Sequence, residues 1–507
     1  MSNTSAKKIK IGAILSYLGI ALSILSALLY SPWMLKKIGD SDYGLYTLAS
    51  SLINMFLIDF GISSAVSRFV SKYNAEGKQE QVNNLLGIVY KFFILISAII
   101  SIILILIFCF VEQIYAALTP EEIVKFKVVY IISASYSVLA FPFSATLNGI
   151  MNSYEKFIQM KLCDVLHKLT TVGMIVSALL CGYGLYALVA AHAVSNLLFF
   201  LIKWIIIKRT TPVKVNMRCF DKGLFKEIFS FSIWVMLNSI CSRLIMNITP
   251  SILGITVGTL AITVFGFSST LEGYVYTFAN AIDGMFIPKI ARIAYKDKDT
   301  SKLLPLMIRV GRYQFAFICL IVAGFACLGR EFITLWIGTK YLDVYYCALL
   351  LMLPAPFYLS QQVGKSAMVV TNNVKYLTIV NIIKAVVNIV LVVILSKLFG
   401  IIGACAAICV AYFARNIGYM LLYKIKIGIN IGKFSLDCYV KLAPAIIVGF
   451  AFGFALQYMY PFTGWIHLGV KACLIVLVYL ISIWFIGFNR KERMQIFNKI
   501  KQKRERK

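Results

Sequence analysis

The chain has 507 residues, of which 60% are hydrophobic and 14% are charged, and its mean hydropathy is +0.84. A soluble domain cannot bury so much apolar surface, and continuous apolar runs of about 20 residues exclude the alternating strands of a β-barrel. The net charge of +29 would suggest nucleic acid in a soluble protein, but most basic residues lie in short loops between apolar runs. We therefore predict an all-α polytopic membrane protein with no nucleic-acid partner.

Apolar runs of membrane-spanning length follow one another along the whole chain. The first follows a basic N-terminus and is too long for the apolar core of a signal peptide, so we interpret it as the first transmembrane helix. In chain order the runs cover residues 11–34, 44–67, 85–111, 122–146, 161–181, 184–207, 227–249, 256–285, 305–328, 343–369, 377–397, 400–422, 438–460 and 467–488. The sequence therefore predicts about 14 transmembrane helices.

The distribution of Lys and Arg between loops predicts the orientation, because cytoplasmic loops have an excess of these residues. With the N-terminus inside, the inward loops and the C-terminal tail hold most of the 50 Lys and Arg residues. The outward segments hold only Lys36, Lys37, Lys125, Lys127, Arg330, Lys340 and Lys397. Both termini are therefore predicted to be cytoplasmic.

A stretch near the start of the chain returns in its second half. Residues 38–78 and 257–299 share an order of features, in which Gly-Leu-Tyr after Tyr43 corresponds to Gly-Phe-Ser after Phe265. Parallel halves of six helices fit a pseudo-twofold axis along the membrane normal, around a central cavity. We predict an N-terminal lobe, a C-terminal lobe that repeats it, and a further helix pair with a basic tail, covering residues 1–215, 216–425 and 426–507.

Basic residues inside the apolar runs outnumber acidic ones. A charge in hydrocarbon costs at least about 2.5–3.5 kcal/mol, so such residues normally face protein or water. The bases are Lys91, Lys168, Arg243, Arg309, Arg312, Lys365, Lys384 and Arg415, with Arg68 and Arg292 at inward helix ends. The acids are Asp59, Asp164, Glu272 and Asp283. This surplus predicts a water-filled cationic lumen that suits an anionic solute.

From these charges we choose candidate site residues. The candidates for substrate binding in the cationic lumen are Arg68, Lys91, Arg243, Arg292, Arg309, Lys384 and Arg415. Asp59 and Glu272 are candidates for coupling to H+ or Na+. Two alternatives stay open: snorkelling to the inner surface accounts in part for Lys91, Arg312 and Lys365, and internal salt bridges account for the two acids.

The sequence contains no pattern that indicates catalysis. It has only three His residues, and neither an acid pair, a nucleophile elbow nor a Gly-rich phosphate loop accompanies them. The twelve Cys residues lie mostly inside apolar runs and form no CxxC pair, which is typical of small buried hydrophobic residues. We therefore expect neither an enzyme nor a metal or other bound cofactor.

The segment KKIGDSDYGLYTLASSLINMFLIDFGISSAVSRFVSKYNAEGK, residues 36–78, resembles the first helix pair of the polysaccharide flippases. These belong to the multidrug/oligosaccharidyl-lipid/polysaccharide exporter superfamily. The family has two duplicated sets of six helices followed by two more, and the predicted helices of this chain resemble that arrangement over essentially the whole chain. The resemblance implies a multi-pass flippase of the bacterial inner membrane, with membrane lipid around it. It would move an undecaprenyl-pyrophosphate-linked oligosaccharide outward for O-antigen (lipopolysaccharide) or capsule biosynthesis, with a polysaccharide polymerase and a chain-length regulator as candidate partners.

Other functions stay open. A multidrug or cation antiporter of the same superfamily typically has twelve helices and an acid in its first helix, whereas residues 11–35 contain no acid. A flippase for a lipid-linked peptidoglycan precursor is closer, and charge alone does not separate it from a polysaccharide flippase. A membrane glycosyltransferase or polymerase would need a large outward loop, and each predicted outward loop is short.

Overall fold

The computed structural model describes residues 19, 21–22, 24–26, 28–58, 62–218, 221–280, 290, 292–293, 302–490 and 492–494. Nearly all of these residues are helical, and no strand occurs among them. We number the helices α1 (28–38), α2 (Asp40–Phe56), α3 (Ile62–Ala75), α4 (Gln79–Cys109), α5 (Val111–Ile114), α6 (Pro120–Ser153), α7 (Phe157–Leu180), α8 (Leu185–Thr210), α9 (Lys222–Thr256), α10 (Thr259–Asn280), α11 (Leu303–Trp336), α12 (Asp343–Met352), α13 (Ala355–Leu359), α14 (Gln362–Val370), α15 (Val374–Ile427), α16 (Ile431–Ser435), α17 (Ala443–Met459) and α18 (Trp465–Ser482). Two π-helical turns follow α16 and α18, at Leu436–Val440 and Ile483–Gly487.

Within the described ranges, nine helical segments are long and apolar enough to cross a membrane. The protein is therefore a multi-pass membrane protein. The longest of these segments, α15, consists of two helical arms, because Gly400 adopts φ 58° and interrupts the helical backbone. Both predicted spans 377–397 and 400–422 thus lie within α15, whereas much of the predicted first span lies outside the described residues. The total of 14 spans and the cytoplasmic termini stay predictions.

The predicted spans 44–67 and 343–369 are not continuous helices. The predicted span 44–67 is broken, because α2 ends at Phe56 and α3 begins at Ile62, with Leu57 at φ −79° and ψ 71°. The predicted span 343–369 is divided into α12, α13 and α14. Pro354 and Pro356 lie at this division, and proline removes a backbone donor and clashes with the preceding turn.

The chain divides into two compact units, and neither is a continuous segment. Unit 1 is Met1–Gly266 with Ala385–Ala404, and unit 2 is Phe267–Lys384 with Cys405–Lys507. Helices α10 and α15 therefore each contribute residues to both units. The predicted lobe boundaries after residues 215 and 425 stay a prediction.

In unit 1, α6 packs against α2, α3, α4 and α8, and α2 also packs against α9. The start of α10 lies close to α2 at two glycines that the sequence repeat had related to each other. A Cβ atom at Gly44 would lie 2.5 Å from the Thr259 carbonyl oxygen, and one at Gly266 would lie 3.3 Å from Thr47 Cγ2. The absence of side chains at both glycines lets the two helix backbones approach closely.

The same ends of α2 and α10 are joined to α6 by one carboxylate. Glu122 forms a capping box with Thr119 at the start of α6. It also accepts hydrogen bonds from Ser41 Oγ at 2.6 Å and from Thr259 Oγ1 at 2.8 Å. Three helix starts within unit 1 thus converge on the Glu122 side chain.

In unit 2, α11 is the central helix, and it packs against α12, α14, α17 and α18. Its residues Met307 and Phe315 belong to one buried hydrophobic cluster with Tyr423, Phe434 and Tyr479. The helix pair α17 and α18 therefore belongs to the core of this unit.

Candidate functional site

Three of the candidate residues chosen from the sequence lie together in unit 2. Glu272 is on α10, Lys384 is on the first arm of α15, and Arg415 is on its second arm. Their exposed fractions are 2%, 3% and 7%. Arg415 and Lys384 are the charged side chains that act electrostatically on the Glu272 carboxylate. We call these three residues the charged cluster; it contains two bases and one acid.

Tyrosine rings enclose the guanidinium group of the charged cluster. Arg415 Cζ lies 3.7 Å from the ring centroid of Tyr358 and 4.7 Å from that of Tyr412. Lys384 Nζ lies 5.5 Å from the Tyr412 centroid. Cations are attracted to aromatic faces, with a free energy of about 2 kcal/mol or more where both groups are desolvated. The rings therefore stabilise both cations without neutralising them.

Several polar atoms of the charged cluster are left without a partner. Among the described residues, Glu272 Oε2, Arg415 Nε and Arg415 Nη2 are buried and make no hydrogen bond. The Tyr412 hydroxyl hydrogen-bonds to the Glu272 carboxylate. Unsatisfied buried polar groups are costly, and more so when they are charged. The arrangement is thus suited to a further polar partner, such as an anionic group that accepts from Arg415.

Further polar and aromatic side chains lie around the charged cluster. Asn381 Nδ2 donates to the Tyr419 hydroxyl at 2.8 Å, and the rings of Tyr419 and Tyr358 are 6.3 Å apart. The ring of Tyr276 lies 6.0 Å from that of Tyr358 and 6.5 Å from that of Tyr412. Aromatic faces beside hydrogen-bonding groups are able to stack on sugar rings.

The sequence analysis did not single out these tyrosines, and so it missed their place around Arg415. The spacing of these residues in the sequence indicated part of this arrangement, because residues three or four apart lie on the same helix face. Tyr412 precedes Arg415 by three residues, and Glu272 precedes Tyr276 by four.

The other candidate bases lie elsewhere on the helices. Lys91 on α4 is half-buried, and the exposed ones are Arg68 on α3, Arg243 on α9, Arg309 on α11 and Arg292. Arg68, Lys91 and Arg243 belong to unit 1, whereas Arg292 and Arg309 belong to unit 2. Their participation in a cationic lumen stays a prediction. Asp59 lies outside the described residues.

Two of the intramembrane charges are engaged within the protein. Arg312, which the sequence counted toward the cationic surplus, is paired with Glu492. The Asp164 Oδ1 atom lies 2.8 Å from Lys203 Nζ. Arg312 therefore leaves the counted bases and Asp164 leaves the counted acids, so the excess of bases over acids is unchanged.

The sequence pattern of a family described as "Polysaccharide biosynthesis protein" matches residues 38–346. No curated protein matches the chain significantly. The solved structure of the lipid II flippase MurJ in an inward closed conformation has a TM-score of 0.70 and 17% identity, covering 95% of this chain and 98% of that chain.

Two transporters of the MOP superfamily are also similar in structure. An inward-facing multidrug resistance MATE family transporter has a TM-score of 0.63 and 15% identity, covering 83% of this chain and 99% of its own. A transporter from Pyrococcus furiosus Vc1 (DSM3638) has a TM-score of 0.59 and 16% identity, covering 84% of this chain and 96% of its own. At these identities the similarity shows a common fold.

Proposed function

The chain belongs to the polysaccharide biosynthesis protein family, and on this premise we propose that it is a flippase for a lipid-linked oligosaccharide. The proposed substrate is an oligosaccharide repeat unit on undecaprenyl pyrophosphate, for O-antigen or capsule. The proposed location is the bacterial inner membrane, with movement from the cytoplasmic to the outer leaflet. The fold common to this chain and the lipid II flippase MurJ supports a lipid-linked substrate.

The observation that carries this proposal is the buried Arg415 with two unpaired donor groups beside Lys384. A guanidinium group presents a planar fork of donors that matches phosphate oxygens, and an ammonium group adds a point charge. In the proposed complex the pyrophosphate contacts these two bases. In the same proposed complex the first sugar stacks on an aromatic ring beside these bases, such as that of Tyr276 or Tyr358.

The proposed mechanism is alternating access. An anionic headgroup does not cross hydrocarbon by itself, because moving an unpaired charge there is expensive. Buried bases replace the water that the headgroup gives up, while the lipid chain stays in the bilayer. The membrane potential favours outward movement of an anion by about 2.3 kcal/mol per charge and 100 mV. A proton or sodium ion at Glu272 or Asp59 would complete the cycle.

A genetic experiment tests the proposed function. In a strain that lacks the chromosomal gene, the wild-type chain should restore surface polysaccharide, and Arg415→Ala should not. Arg209→Ala is the matched control, since Arg209 is an exposed base at the end of α8 in unit 1. Normal surface polysaccharide with Arg415→Ala at equal protein level would contradict the role of the charged cluster.

Two alternatives have support from the fold. The similarity to MurJ favours a flippase for a lipid-linked peptidoglycan precursor, and the similarity to MATE transporters favours a multidrug or cation antiporter. A deletion strain separates all three. Loss of surface polysaccharide supports our proposal, lysis supports the peptidoglycan precursor, and sensitivity to cationic dyes with normal polysaccharide supports the antiporter.

A further inference from the structure

We propose that a groove between α4 and α6 binds one zwitterionic phospholipid of the surrounding bilayer, with an acyl chain in the groove and the headgroup at Lys127 and Glu112. The groove has a volume of about 380 Å³, and ligand sites commonly measure about 300–1,000 Å³. It lies within unit 1, whereas the charged cluster belongs to unit 2. The inference is therefore independent of the proposed substrate.

The groove presents an almost entirely apolar surface. Its lining consists of aliphatic and aromatic residues with two serines. Ser101 and Ser135 donate to the carbonyl oxygens four residues earlier on their own helices, at 2.8 Å and 2.7 Å. The Tyr130 hydroxyl donates to the Leu104 carbonyl oxygen at 2.9 Å. Because these hydroxyl groups are engaged with the backbone, the groove suits a hydrocarbon chain better than a polar ligand.

The groove is open toward the bilayer. Both α4 and α6 are long and apolar enough to cross a membrane. Ile105, Ile131 and Leu139 line the groove and are exposed, Leu139 by 72%. In a membrane the apolar molecules around such residues are acyl chains, and a chain that fills a gap makes dispersion contacts that an empty gap forfeits. An acyl chain is therefore the occupant that matches this surface.

The depth of the groove fits one leaflet of the bilayer. Phe108 lies at the last turn of α4, and its ring stacks on that of Tyr130 with 6.2 Å between the centroids. From Phe108 back to Ser101 the helix rises about 10 Å, which is about two-thirds of the hydrocarbon depth of one leaflet. A chain that enters at Phe108 thus runs from the membrane surface toward the bilayer centre, as the chain of a phospholipid does.

An ion pair lies at the Phe108 end of the groove. Lys127 Nζ is 6.0 Å from the Phe108 ring centroid and 2.6 Å from Glu112 Oε1. The two side chains are 31% and 67% exposed, so a headgroup is able to reach both. A lipid phosphate accepts from the lysine, and a lipid ammonium group donates to the glutamate. Because the ion pair has no net charge, it matches a headgroup with both charges better than one with a negative charge alone.

Native mass spectrometry of the purified full-length chain in detergent tests the site. The ligands are phosphatidylethanolamine, phosphatidylglycerol and farnesyl pyrophosphate, a short isoprenoid analogue of the proposed substrate. The wild type should bind one phosphatidylethanolamine at least about tenfold more tightly than phosphatidylglycerol. Ala134→Trp fills the groove and should weaken that binding at least about tenfold. Leu198→Trp is the matched control, since Leu198 is an exposed apolar residue on α8, and it should bind as the wild type does.

A second variant tests the headgroup end without changing the groove. Glu112→Gln removes the partner of the lipid ammonium group and leaves Lys127 as an unpaired cation, so the preference should reverse toward phosphatidylglycerol. Glu121→Gln, which neutralises an exposed acid in the first turn of α6, should leave the preference unchanged. This pair decides the matter even if Ala134→Trp does not fold.

Three results would overturn the lipid site. They are equal affinity of the wild type for the two phospholipids, wild-type binding by a folded Ala134→Trp variant, and an unchanged preference in Glu112→Gln. Displacement of phosphatidylethanolamine by farnesyl pyrophosphate would also overturn it, because the groove would then hold the isoprenoid chain of the substrate. None of these results bears on the charged cluster, so the proposed function is tested separately.

Discussion

Arg312 on α11 and Glu492 form a buried ion pair, with 2.6 Å between Arg312 Nε and Glu492 Oε1 and only 2% of the arginine side chain exposed. The same guanidinium donates to two backbone carbonyls, those of Asp437 and Gly487. Each carbonyl lies in one of the two π-helical turns. One side chain thus joins α11 to both turns and to Glu492, which follows the second turn.

Substitution of Arg312 by Met should destabilise the protein strongly. Removing one partner of a buried ion pair leaves the other charge uncompensated, at a cost of about 3–5 kcal/mol in the free energy of unfolding. Two π-turn carbonyls lose their donor at the same time. Thermal unfolding of the purified chain in detergent measures the effect.

A double variant separates charge from packing at this pair. Replacing a whole buried ion pair by apolar residues of similar size is often neutral, so Arg312→Met combined with Glu492→Leu should recover much of the lost stability. Unfolding of Arg312→Met at the wild-type temperature would mean that the ion pair contributes nothing to the stability of unit 2.

Because α2 is in close contact with the start of α10, adding one methyl group at Gly44 should change stability and activity. Gly44→Ala would place a Cβ atom 2.5 Å from the Thr259 carbonyl oxygen, so the two helices would have to separate. We expect lower stability and lower flipping activity, although alanine is intrinsically better than glycine in a helix by about 1 kcal/mol. Thermal unfolding and a flipping assay measure the two effects.

Gly273→Ala is the matched control for this contact, because a Cβ atom at Gly273 on α10 would meet no atom within 4 Å. It should be neutral or slightly stabilising. Equal stability and equal flipping activity of the two alanine variants would show that the close approach at Gly44 contributes to neither.

Because the Tyr358 ring stacks on Arg415, we predict that the ring contributes more to headgroup binding than the hydroxyl does. Tyr358→Phe keeps an aromatic face 3.7 Å from Arg415 Cζ and should retain most of the activity. Tyr358→Leu removes the face and should weaken headgroup binding by about 2 kcal/mol. Affinity for farnesyl pyrophosphate measures the difference, and a Phe variant as impaired as the Leu variant would refute the stacking role.

The sequence was informative where hydrophobicity decides the structure. Long apolar runs predicted the helical membrane fold, and charges inside those runs drew attention to Glu272, Lys384 and Arg415. Which charges meet was beyond the sequence, because Arg312 and Glu492 are 180 positions apart and only the tertiary fold brings them together. The break in the span 44–67 was also missed, since its residues are as apolar on both sides of Leu57 as a continuous helix would require.

The measurement that tests the central claim most directly is lipid flipping by the purified protein in liposomes. A fluorescent oligosaccharide on undecaprenyl pyrophosphate is placed in both leaflets, and the label in the outer leaflet is bleached by dithionite. The account predicts that wild-type protein makes nearly all label accessible, that Arg415→Ala and Lys384→Ala reduce the rate at least about tenfold, and that Arg209→Ala does not. Equal rates for wild type and Arg415→Ala, or no flipping by wild type above protein-free liposomes, would contradict it.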